Sequence, residues 1–160
     1  MELSGDELAG VVDLFGALTR AELVGAVDEL AFKRGADADP EAVAATVDEA
    51  LAVYRLVAVD RPAADTDDPS PAPLLVAGPT AFPTLPEGAE DLPHIMDVPE
   101  REVDRERAAE AASERFRADA ATAIDDADDD RIAELVDVSY DLTAWGPVDG
   151  AALRDHLDGA

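Results

Sequence analysis

An excess of about three acids for every base constrains this chain more than any motif in it. Asp and Glu number 38 against 12 Lys and Arg, for a formal net charge of −26. In dilute buffer such a charge repels itself across any compact fold. In molar salt the Debye length shrinks to about 3 Å, so the repulsion is screened while hydrated carboxylates keep the surface soluble. The composition therefore predicts adaptation to molar salt, in preference to an acidic interaction protein of an ordinary cell. Lys33 is the one lysine; the other bases are arginines. Hydrophobic residues make up 48% of the chain, enough for a core, but aromatics are only 4%, so Leu and Val must do most of the filling.

There is no cysteine, which removes disulfides, thiolate nucleophiles and Cys-based metal sites. The opening Met-Glu-Leu-Ser-Gly-Asp-Glu has neither the basic stretch nor the apolar run of a secretory signal. No segment approaches the ~20 apolar residues of a membrane helix. A cytoplasmic protein without membrane contact is the expectation.

Three helix starts are written in capping chemistry. Ser4 and Glu7 have capping-box spacing, followed by Leu8, Val11, Val12, Phe15 and Leu18 at helical period. Thr19 and Glu22 repeat the device before Leu23, Val24, Val27, Leu30 and Ala31, with Gly35 as the stop. Asp39-Pro40-Glu41 opens a third helix carrying Val43, Val47, Ala50, Leu51 and Tyr54. Residues 55–59 and 74–77 then read as two short strands, joined by a polar loop from Arg61 to Pro73. Either strand alone would leave its backbone unpaired, so a two-stranded hairpin is expected.

Helix, helix, helix, strand, loop, strand is the order of elements in a winged-helix domain, and residues 4–80 resemble one on that order. The chain as a whole resembles small, uncharacterised acidic proteins of haloarchaea. The expected fold is mainly α, within an α+β class. A winged-helix-like domain occupies residues 1–80, and a Pro-rich ordered strap, 81–99, lies extended on its surface. A helical extension, 100–160, packs on the first domain. The strap carries Phe82, Leu85, Leu92, Ile95 and Met96, too many apolar residues for a free linker. The extension reads as a long helix from Glu100 to near Ala123, an acid-rich break at 125–130, a helix bearing Ile132, Leu135, Val136 and Ser139, and a last short helix capped by Asp149.

The resemblance implies DNA binding through the third helix, but the charges oppose it. Between Gly35 and Tyr54 there is no Lys or Arg, while Asp37, Asp39, Glu41, Asp48 and Glu49 are acidic. The wing holds Asp65, Asp67 and Asp68, where the family usually offers a base. DNA affinity rests on cations neutralising phosphates, and base readout favours Arg, Asn or Gln. The candidate nucleic-acid contacts reduce to Arg20, Lys33, Arg34 and Arg55.

Other chemistry is thinly supported. Asp126, Asp128 and Asp130 have the one-three-five spacing of an EF-hand loop, but Arg131 and Asp137 stand where Gly and a bidentate Glu are needed. A capped helix break is the better reading, with no specific metal. His94 and His156 share no ligand spacing, and no phosphate-binding Gly motif or Gly-x-Ser-x-Gly elbow occurs. No cofactor is expected. Carboxylates are too numerous for their proximity to mark acid-base catalysis.

The long helix interleaves Arg101, Arg105, Arg107, Arg115 and Arg117 with acids, the pattern of an exposed, ion-paired face. Its apolar Val103, Phe116 and Ile124, with Trp145, are the candidate interface residues. The leading expectation is a non-enzymatic protein that binds a protein partner or forms a homodimer. A transcription regulator contacting DNA through Lys33-Arg34 and partner subunits is the alternative. An enzyme with a scattered carboxylate site comes last.

Overall fold

The computed structural model describes residues 2–61 and 71–158. Its contacts divide the chain into two compact units, Met1–Val103 and Asp104–Ala160.

In the first unit the capping chemistry forms as written. Helix α1, Gly5–Phe15, starts with Ser4 accepting from the Glu7 N–H while Glu7 accepts from the Ser4 N–H. Helix α2, Arg20–Lys33, starts with the same reciprocal pair between Thr19 and Glu22. Asp39 caps α3, Pro40–Ala52, with proline in the first turn, where its missing N–H costs no helical bond. Strands β2, Leu56–Val59, and β3, Leu74–Ala77, pair antiparallel with Leu56 opposite Ala77 and Val59 opposite Leu74. Asp65, Asp67 and Asp68, which the sequence reading places in a wing, lie outside the described residues.

The sheet has a strand that the expected hairpin lacks. Residues Leu18–Thr19 form β1, which pairs antiparallel with β3 and gives the order β1-β3-β2. Gly16, at φ +89°, ends α1 before Leu18, so Leu18 belongs to the sheet and not to the first helix. Only a backbone free to enter that left-handed region makes the reversal cheaply.

The strap belongs to this unit, and it is extended only in part. Near Phe82–Thr84 it runs along α1: the Phe82 N–H donates to the Asp6 carboxylate at 3.1 Å and the Thr84 N–H to the Asp6 carbonyl at 3.0 Å. Gly10 makes this approach feasible, because an added Cβ would overlap the Thr84 carbonyl. Gly10→Ala is therefore expected to destabilise the unit by about 1–3 kcal/mol through a forced backbone shift. Denaturant unfolding at fixed salt checks it, and an unchanged midpoint would show that the strap yields freely. Beyond Gly88, at φ +87°, the chain turns through a short 3₁₀ segment, Ala89–Asp91, into a one-turn helix α4, Leu92–Ile95. Ala89 and Leu92 are fully buried among Leu8, Val12, Phe15, Leu23, Val27 and Leu30. The strap is a structural part of the core.

The second unit starts later than the sequence indicates. Helix α5 spans Arg105–Asp125, capped by Asp104, whose carboxylate accepts the Glu106 N–H. Arg101 is held back in the first unit, so the helix cannot extend toward Glu100. Helix α6, Asp129–Trp145, and helix α7, Gly150–Asp155, follow with Asp128 and Asp149 as caps. Ala108, Ala112, Phe116 and Ala120 of α5, Leu135, Val138 and Leu142 of α6, and Leu153 of α7 are buried. The alanines let α5 and α6 approach closely, which suits a core poor in aromatics. Among the described residues Ser139 is the buried polar side chain, satisfied by donating to the Val136 carbonyl and accepting from Arg154.

Candidate interaction surface

The four candidate nucleic-acid cations are already committed to protein oxygens, and to different ones. Arg20 pairs with Asp48 of α3 at 2.7 Å. Lys33, at the end of α2, donates to the Gly88 carbonyl at 3.0 Å and lies 3.4 Å from the Asp91 carboxylate. Its neighbour Arg34 donates to the Glu87 carbonyl. Arg55 lies 3.4 Å from Asp6 at the start of α1. A phosphate would have to displace a partner at each position. The two bases at the end of α2 serve to pin the strap.

Arg101 makes the strongest pin. Its guanidinium donates to both Glu22 oxygens, at 2.7 and 3.1 Å, and to the Ala17 carbonyl at 3.3 Å. Glu22 thus caps α2 and holds the end of the strap with one carboxylate. Burial pushes its pKa up, but the hydrogen bonds from Arg101 and Thr19 and the Arg101 charge outweigh burial and leave it lowered. A lowered folded pKa gives stability that is complete at neutral pH and lost as pH falls through it. Glu22→Gln is expected to cost about 1–2 kcal/mol at pH 7. It should also flatten the stability–pH profile below about pH 5, where a free glutamate begins to protonate. Thermal melts from pH 3 to pH 7 read the difference; parallel profiles for the two proteins would contradict the assignment.

The acid-rich break caps helices. Asp126 ends α5, Ala127 takes φ +51°, and Asp128 accepts the Arg131 N–H at 3.0 Å to start α6. Among the described residues no group of three or more His, Cys, Asp or Glu is placed to hold a metal ion. Both His94 and His156 are exposed. Among the same residues no helix is long and apolar enough to cross a membrane.

Two open depressions flank Leu3 in the first unit. One, of about 270 Å³, has apolar walls from Leu8, Val27 and Val43. The other, of about 320 Å³, is edged by Ser4, Asp6, Glu49 and Arg55. Its polar groups are structural: Ser4 caps α1, and Asp6 holds both Arg55 and the strap. Neither depression carries a catalytic arrangement.

The candidate interface residues do not share one helix. Val103 precedes α5 and belongs to the first unit, so it cannot share a helical stripe with the others. Phe116 is fully buried and serves packing, while Ile124 and Trp145 are half-buried. The Trp145 ring is covered by the Arg105 guanidinium, 4.6 Å from its centroid, a cation–π contact. The exposed apolar surface lies elsewhere. Phe82 is 80% exposed, Leu85 44% and Ile95 48%, all on the strap; Phe32 on α2 is 81% exposed, and Tyr140 on α6 is 59% exposed with the Arg154 guanidinium over its ring.

The strap's apolar content predicts an ordered segment on the surface of the first domain and does not say which of its residues face solvent. No curated protein and no solved structure matches the chain. Residues 6–160 match the model described as a family of unknown function (DUF7109), and the chain belongs to that family.

Proposed function

We propose that this chain is a non-enzymatic protein-binding protein of a halophilic archaeon's cytoplasm, built on a winged-helix-like scaffold that does not read DNA. One observation carries the reading. The cations that would meet phosphate are paired within the fold, whereas Phe82 and Leu85 stand exposed on a segment pinned in place. Exposing a phenylalanine forfeits about 1.5–3 kcal/mol of burial, and what supports a contact here is that Phe82 and Leu85 stand exposed three residues apart on one fixed segment. The scaffold reading rests on the run α1-β1-α2-α3-β2-β3 and the sheet order β1-β3-β2. The halophilic reading rests on the net charge of −26.

The test is affinity purification of the full chain from a halophile lysate kept in molar potassium chloride, with mass spectrometry of proteins and sequencing of nucleic acid. A stoichiometric protein, or a second copy of the chain, is the expected capture. Specific DNA fragments without such a protein would overturn the proposal.

A further inference from the structure

We infer that residues 82–87 form a preformed docking segment for a basic protein surface that has an apolar pocket for Phe82. The inference rests on the protein-binding reading above and names the partner's chemistry.

Rigidity is the first argument. The Phe82 N–H is held by the Asp6 carboxylate, the Thr84 N–H by the Asp6 carbonyl, and the Thr84 hydroxyl donates to the Phe82 carbonyl at 2.9 Å. Pro83 and Pro86 fix φ on either side of Leu85. Phe82 and Leu85 are thus presented, three residues and at most about 11 Å apart, on backbone that has already lost its freedom. Preorganisation of this kind removes much of the ordering cost of binding.

Charge names the occupant. From residue 78 to residue 100 there are five acids and no Lys or Arg. Asp91 is shared with Lys33, while Glu87, Glu90, Asp97 and Glu100 are exposed. Two copies meeting through this segment would bring the same carboxylates together, so a second copy fits poorly. A face bearing Arg or Lys complements them. Ion pairs made in contact lie within the ~3 Å screening length of molar salt and survive there, where longer-range attraction does not.

The test uses the full chain in molar potassium chloride with a synthetic amphipathic helix, Lys on one face and Leu on the other. The same peptide with Glu for Lys is the control, and analytical ultracentrifugation reports self-association. Phe82→Ser and Leu85→Ser, both at exposed positions and checked by circular dichroism, are each expected to weaken binding of the Lys/Leu peptide about tenfold. Phe32→Ser, equally exposed but on α2, should change it less than about twofold. Equal affinity in all three variants would reduce the effect to diffuse charge attraction and overturn the inference, as would no binding at all. Equal binding of the Glu/Leu peptide, or a dimer abolished by Phe82→Ser, would overturn the basic partner yet leave the protein-binding reading standing. That reading fails only on DNA capture from the lysate.

Discussion

Dialysis from molar potassium chloride to about 0.1 M, where the Debye length grows to about 10 Å, is expected to unfold much of the protein. A net charge of −26 is then repelled over distances comparable to the spacing of surface carboxylates. The ion pairs offset little of it. Arg20–Asp48, Lys33–Asp91 and Arg55–Asp6 all have substantially exposed side chains, and such pairs contribute about 0–1 kcal/mol each. Domains are stable by only ~5–15 kcal/mol, and the lean, alanine-rich core leaves little reserve. Circular dichroism across a potassium chloride titration, with melts at each step, measures the effect. A melting temperature independent of salt over that range would remove the halophilic reading, because screening would then not be what keeps the chain folded.

Leu92→Ala should have the largest effect of any substitution considered, a loss of about 2–5 kcal/mol. Leu92 is fully buried and packs within the core of the first unit, although its neighbours in sequence, Asp91 and Pro93, are exposed. Its removal leaves a cavity that α1 and α2 cannot close without moving, since Lys33, Arg34 and Arg101 tie those elements to the strap on both sides of it. Ile95→Ala, three residues on and 48% exposed, should change stability by no more than about 0.5 kcal/mol. Urea unfolding at constant salt compares the two. Similar small losses at both positions would mean that the strap lies on the unit without completing it.

Local chemistry was legible in the sequence and distant pairing was not. Ser4 with Glu7, and Thr19 with Glu22, specify their helix starts within four residues, and both form. Strand β1 has two residues, too few for an alternation, and exists because β3 offers Leu74 and Leu75 as partners more than fifty residues later. The start of α5 was misplaced for a similar reason. Nothing near Glu100 shows that Arg101 belongs to Glu22, far back in the chain. The strap's ordering was readable from its apolar content, but the division between buried Leu92 and exposed Phe82 depends on which side of each residue α1 and α2 occupy. The cations were readable as residues and not as pairs, because Lys33 and Arg34 meet backbone carbonyls that carry no sequence identity.

The Glu22–Arg101 clamp has a consequence for how the chain is made. Synthesis delivers the three helices and the sheet first, yet the core they enclose still lacks Ala89 and Leu92, and Glu22 lacks its cation. Domains form as units in the order they emerge, and contacts distant in sequence form late. The first unit is therefore not finished when its helices and sheet are complete, at about residue 80. Its core is filled and Glu22 gains its cation only some twenty residues later, so an apolar groove stays open in the meantime.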